Sequence, residues 1–243
     1  MNYSGGKNSG GAFQKIINQI PPHDVMIEAF MGSASILRNK RPTALNIGVE
    51  AEEFAYREAK SYFAKQSGEY EILNQSAFEF FEGFDWLPGV RYFVYFDPPY
   101  LLQTRKQKQA HLYLHEFFYQ DHERLLDIAT TIPAMVAISG YWSDLYDQRL
   151  RGWRSIHWRQ MTRGGTMATE YLWMNYPEPD ALHDYRYLGD GFRERERIKK
   201  KKTRWKAKLE KMPRLERLAI LAAIVMQRVP AGHSLLCARP SSL

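Results

Sequence analysis

The chain has one cysteine, Cys237, so it can form neither an internal disulfide nor a cysteine-built zinc site. It also lacks long apolar runs: the longest, Leu218 to Met226, is too short to cross a bilayer. The opening residues, Met1 to Gly11, hold no apolar segment of the kind found in a secretory signal. A reducing, cytoplasmic setting without membrane attachment is the expectation. Glycine and proline, at 16 and 12 of 243 residues, are too sparse for a fibrous or disordered chain. What remains is ordinary for a globular protein, with 44% hydrophobic and 25% charged residues. This length suits one α/β domain with an appendage.

Charge is unevenly distributed. The formal net charge is +7, yet residues 193–214 alone carry twelve Lys/Arg against three Glu, leaving the rest of the chain at −2. The basicity therefore belongs to a tail and not to the body. A natural division is residues 1–188 and a basic, helical extension over 189–243. A solvated helix face and a phosphate-contacting arm are the two readings of that extension.

The body alternates. Val25 to Phe30 and Thr43 to Glu50 read as buried strands, with a short helix between them after Met31-Gly32-Ser33. Ala51 to Ala64 is amphipathic and helical. Tyr70 to Leu73 reads as a third strand, followed by a helix after Ser76. Val90 to Phe96 is dense in aromatic and β-branched residues and runs directly into Asp97-Pro98-Pro99-Tyr100. Beyond it come a helix (Gln120 to Thr130), a strand (Ala134 to Ser139) and a helix (Trp142 to Leu150). Arg154 to Met161 and Thr169 to Tyr176 can pair as a hairpin through Arg163-Gly164-Gly165. Strand–helix alternation gives a mostly parallel sheet, made mixed by an antiparallel edge hairpin. In such sheets ligands bind beyond the carboxyl ends of the strands, where the polar motifs of this chain fall.

Asp97-Pro98-Pro99-Tyr100 is the motif richest in chemistry. A carboxylate and a backbone carbonyl side by side, the latter aimed by two prolines of fixed φ, make a pair of preorganised hydrogen-bond acceptors. Such a pair can hold a planar amine such as adenine N6, draw it towards tetrahedral geometry and localise its lone pair. Tyr100 can stack on the ring that bears the amine.

With its order of motifs, residues 1–176 resemble the Dam-type, N6-adenine-specific DNA methyltransferases of bacteria and phages. Tyr3-Ser4-Gly5-Gly6-Lys7 matches that family's N-terminal aromatic-x-Gly-Gly-Lys. Glu28-Ala29-Phe30-Met31-Gly32-Ser33-Ala34 matches its cofactor loop, and Asp97-Pro98-Pro99-Tyr100 its catalytic motif. The resemblance implies a Rossmann-like methyltransferase fold and S-adenosylmethionine as methyl donor. It implies cofactor contacts from Tyr3, Gly6, Lys7, Glu28, Phe30, Gly32, Ser33 and Asp97. Physically, Gly32 lets the backbone approach the cofactor, and Lys7 can meet a carboxylate. Glu50, ending the second strand, can accept ribose hydroxyls, although Glu52 and Glu53 follow it and an acidic helix start is the competing reading.

The chain departs from the family pattern in three places. Ala34 replaces the second glycine of the cofactor loop. Asn74-Gln75-Ser76-Ala77-Phe78 stands where relatives often carry an Asp that reaches the cofactor adenine, leaving Ser76 or Asn74 for that contact. The family's target-recognition segment has no room, because about 60 residues separate Ala34 from Asp97. Duplex DNA would then be held from other places: Arg105, Lys106, Lys108, Tyr113 and His115 in one loop, Arg163 in another, and Lys199, Lys200, Lys201 and Lys202 in the tail. The target adenine would be flipped out of the duplex. His111, His115, His122 and Asp121 could suggest a metal, but methyl transfer needs none and none is expected. Two other readings stay open: a methyltransferase for cytosine N4 or RNA adenine, and a non-catalytic nucleic-acid-binding protein.

Overall fold

A computed structural model describes residue 7 and residues 10–101, 117–161 and 165–226. Its first unit, residues 1–188, is organised around one sheet. The strands are β1 (Val25–Ala29), β2 (Leu45–Glu50), β3 (Tyr70–Asn74), β4 (Tyr92–Phe96), β5 (Met135–Tyr141), β6 (Arg154–Met161) and β7 (Met167–Met174). Their order across the sheet is β3-β2-β1-β4-β5-β7-β6. The first five strands pair in parallel, and β7 runs antiparallel to both β5 and β6. Helices α1 (Ala12–Ile17), α2 (Ser35–Asn39), α3 (Glu53–Phe63), α4 (Ala77–Gly83), α5 (Tyr119–Thr131) and α6 (Asp144–Arg149) complete the unit. This is a Rossmann-like α/β sheet, mostly parallel and made mixed by its antiparallel edge hairpin, as the alternation in the sequence leads one to expect.

β4 explains where the core lies. All five of its residues are buried, so it cannot be the half-polar strand of a sheet with one wet face. Tyr92, Val94 and Phe96 enter one apolar cluster with Phe80, Phe81 and Trp173. Phe93 and Tyr95 enter the other with Ile16, Ile17 and Met26. The strand ends where it must: Asp97 donates its backbone N–H to Ala29 O at 3.4 Å, and Pro98 and Pro99 have no N–H to continue the ladder.

Three expectations shift. The second strand begins at Leu45 and not Thr43, because the Thr43 hydroxyl donates to the carbonyls of His23 and Asp24 (2.9 and 3.0 Å) and closes a turn there. The last strand runs Met167–Met174 in place of Thr169 to Tyr176. Its start is set by Met161 facing Met167, and past its end the Asn175 side chain turns back to the backbone of Ala134 and Val136. The helix expected over Ala51 to Ala64 runs Glu53–Phe63, because Glu52 caps it, its carboxylate accepting from Phe54 N and Ala55 N. The hairpin turn named by Arg163-Gly164 lies outside the described residues.

The second unit, residues 189–243, is described as far as Met226. It consists of α7 (Phe192–Glu210) and α8 (Arg214–Met226), separated at Pro213. α7 has no buried residue. Its ion pairs join Glu194 to Arg197, Glu196 to Lys199 and Lys206 to Glu210.

Candidate active site

The carboxyl ends of β1, β2, β4 and β5 and the start of β7 meet at one edge of the sheet. There Asp97 follows β4, and the register sets it beside Ser139 of β5, because Phe96 faces Ile138. Asp97 Oδ1 accepts from Ser139 Oγ at 2.8 Å and from Lys7 Nζ at 2.7 Å. Ser139 Oγ lies 2.8 Å from the Tyr95 hydroxyl. Since the Ser139 proton goes to Asp97, Tyr95 is the donor to Ser139. The Asp97 side chain keeps 19% exposure, whereas Lys7 keeps 2%. Asp97 Oδ2 and the Pro98 carbonyl have no hydrogen-bond partner among the described residues.

Lys7 joins three acceptors. Besides Asp97, its ammonium donates to the Tyr100 hydroxyl and pairs with Glu170 Oε1 at 3.1 Å. The Tyr100 hydroxyl in turn donates to Glu170 Oε1 at 2.5 Å. Glu170 comes from β7, where it faces Tyr141 of β5, and the Tyr141 ring lies 4.4 Å from that of Tyr100. Burial weighs against charge on Lys7, but Asp97 and Glu170 outweigh it and hold the ammonium well above its usual range. Burial raises the Glu170 carboxyl, with Lys7 and the Tyr100 hydroxyl acting against it. The Tyr100 hydroxyl is raised by burial, then by Glu170 and Asp97, so it stays a neutral phenol.

The β1–α2 turn forms the neighbouring wall. Phe30, Gly32 and Ala34 all have positive φ (56°, 49° and 54°). Two of these residues carry a Cβ, so the turn stores strain of about 1–3 kcal/mol at each of them. Two carboxylates hold it. Glu50 Oε2 accepts Gly32 N–H at 2.6 Å, and its Oε1 accepts Glu52 N–H at 2.9 Å. Glu28 accepts the N–H groups of Ile36 and Leu37 (3.2 and 2.7 Å), covering the start of α2 from within the sheet. Burial pushes the Glu28 carboxyl up to about 8 despite these two donors. Ser33 Oγ lies 2.8 Å from Ser35 Oγ, which accepts the Lys7 backbone N–H at 3.2 Å. Lys7 therefore ties the turn to Asp97.

Aromatic rings line the side towards α4. Phe30 meets Phe117 edge-on at 5.3 Å, and Phe78 stacks on Phe117 at 5.7 Å. Ser76 caps α4 by accepting Phe78 N–H, which leaves its hydroxyl hydrogen to donate. Asn74 donates to the Glu50 and Ala51 carbonyls and is thereby committed to the backbone.

The structure thus assembles Lys7, Phe30, Gly32, Ser33, Glu50, Ser76, Asp97 and Tyr100 along one edge, and it turns Glu28 to α2. Tyr3, Gly6, Arg105, Lys106, Lys108, Tyr113, His115 and Arg163 lie outside the described residues. Lys199 to Lys202 lie on α7, all exposed. His122 is buried beside Phe117 and Tyr146, its Nδ1 2.9 Å from the Tyr146 hydroxyl. No group of three potential metal ligands occurs among the described residues. Sequence reasoning missed Glu170, Ser139 and Tyr95. A signal existed for Ser139, a lone hydroxyl in an apolar strand. Glu170 looks like any outward polar residue of a hairpin until the sheet order is known.

No protein-family model and no curated protein matches the chain. Among solved structures it is similar to TrmK of M. capricolum, determined with S-adenosyl-homocysteine (10% identity, 89% of this chain and 94% of that one, TM-score 0.44). It is similar to the 23S rRNA methyltransferase ErmE (12% identity, 78% and 74%, TM-score 0.44). A third is a dimethyladenosine transferase from Plasmodium falciparum (10% identity, 69% and 62%, TM-score 0.45).

Proposed function

We propose that the chain is an S-adenosylmethionine-dependent methyltransferase that modifies the exocyclic N6 amine of adenine in duplex DNA. One observation carries the reading. Asp97 Oδ1 is fixed by Lys7 and Ser139, while Oδ2 and the Pro98 carbonyl have no hydrogen-bond partner among the described residues. Two adjacent, prearranged acceptors suit the two hydrogens of an amine.

The residues fit the cofactor. A carboxylate has about four lone-pair sites, and Glu50 uses two, leaving two for ribose hydroxyls. Phe30, Phe78 and Phe117 offer an apolar wall for a purine, with the Ser76 hydroxyl beside it. When bound, S-adenosylmethionine supplies an electrophilic methyl group. The chain's own residues then act on the base. Asp97 and Pro98 orient the amine, and the Lys7 ammonium holds the Asp97 side chain in place through Oδ1. Tyr100, its hydroxyl anchored on Glu170, presents a fixed ring face. Asp97 Oδ2 takes the proton that the methylated amine must lose. An acceptor aimed at developing positive charge contributes about 3 kcal/mol to such a transition state.

The DNA reading rests on α7, whose exposed cations suit a phosphate backbone. Adenine inside a base pair offers no in-line path to its amine, so the base would be flipped out. The direct test is incubation of the full chain with unmodified duplex DNA and the donor, followed by nucleoside mass spectrometry. N6-methyladenine is the expected product. N4-methylcytosine, or N6-methyladenine formed in RNA and not in DNA, would replace the substrate. Absence of any methylated base would leave a binding protein.

A further inference from the structure

Three ionised side chains meet at the candidate active site, and their charges do not cancel. Lys7 brings one positive charge, Asp97 and Glu170 one negative charge each. Both donors that reach Glu170, the Lys7 ammonium and the Tyr100 hydroxyl, point at the same oxygen, Oε1. Burial raises this carboxyl, while the Lys7 ammonium beside it and the donated Tyr100 hydroxyl act against burial and favour the carboxylate. Glu28 stands apart from this cluster, its two oxygens committed to the N–H groups of Ile36 and Leu37 at the start of α2. Lys7 and Asp97 alone would make a neutral pair. Glu170, 4% exposed, is what leaves this dry cluster with one negative charge in excess. A buried excess charge is costly unless a ligand of opposite sign completes it.

We propose that Glu170 makes the pocket selective for a cationic ligand over a neutral one of the same shape, favouring the sulfonium donor over the thioether product. The inference rests on the cofactor reading above and adds to it a residue with no place in the sequence motifs. Glu170 acts through Lys7 and Tyr100 and touches no reacting atom. Its consequence is product release: loss of the sulfonium charge on methyl transfer removes the attraction that held the donor.

Calorimetric titration of the full chain at pH 8 with S-adenosylmethionine and with S-adenosylhomocysteine tests this without requiring activity. The wild type should prefer the sulfonium by about tenfold or more, the scale of one charge acting over several ångströms in a partly screened interior. Glu170→Gln should bring the two affinities within about threefold of each other, through loss at the sulfonium alone, while Glu170→Asp keeps the preference. A third ligand, with a protonated amine in place of the sulfonium, should side with the cation in the wild type. This arm needs no variant, so a wild type without the preference overturns the proposal even if Glu170→Gln fails to fold. An unchanged ratio in Glu170→Gln, or a wild type that binds thioether and cations alike, overturns the proposal. A wild type that binds none of the three overturns the cofactor reading itself, a result distinct from binding without preference.

Discussion

His23 shows how a single buried ring ties stability to pH. It lies at the opposite end of the sheet from Asp97, with the His183 ring 4.3 Å away and Phe93 at 5.4 Å. Burial, then the Lys40 ammonium, pushes its pKa down to about 2. The folded protein therefore holds His23 neutral while the unfolded chain protonates it near 6.5. The resulting stability is fully present above pH 6.5 and is lost as pH falls below it. Two pH units below that point the loss is about 2–3 kcal/mol. His23→Phe keeps a ring in the stack and cannot titrate. Denaturant unfolding at pH 6.5 and 4.5 should give a difference smaller by about that amount in the variant. Equal differences in the two proteins would mean that His23 is not held neutral.

At the scale of elements, α7 makes the most exposed claim. Successive residues of a helix turn by about 100°, so Lys199 to Lys202 point to every side and cannot all meet one row of phosphates. They provide a general positive field without base reading. Replacing all four with Ala should weaken DNA binding for every sequence alike and flatten its salt dependence. Filter binding across a salt series checks this, and a changed sequence preference at constant affinity would show that α7 reads bases. How well each element could be read in the sequence follows from the same physics. β4 was plain because both of its faces are apolar, and Asp97-Pro98-Pro99-Tyr100 because prolines must end a strand. α1 went unread: it has six residues and starts from Gly11, with no side-chain cap. The β7 boundary slipped by two residues, since hydrophobic alternation in Met167 to Tyr176 permits either start and only pairing with β6 decides. Glu170 was beyond reach. It meets Lys7 across 163 positions only because the sheet sets β7 next to β5.

Across the first unit as a whole, the candidate site is a junction of distant segments. Lys7 brings the N-terminal stretch, Asp97 and Tyr100 follow β4, Ser139 lies on β5 and Glu170 on β7. The Glu50–Gly32 bond fastens β2 to the strained β1–α2 turn. This connectivity alters what removal of Asp97 should do. The Lys7 ammonium would still be paired with Glu170 and Tyr100, so the fold should survive a loss that would otherwise strand a buried charge. The most direct measurement is tritiated methyl incorporation into adenine of duplex DNA by the wild type, Asp97→Ala and Asp97→Asn, alongside melting curves with the donor present. Both variants should melt near the wild type, and each should lose at least about 100-fold in rate. Near-normal incorporation by folded Asp97→Ala would contradict the account.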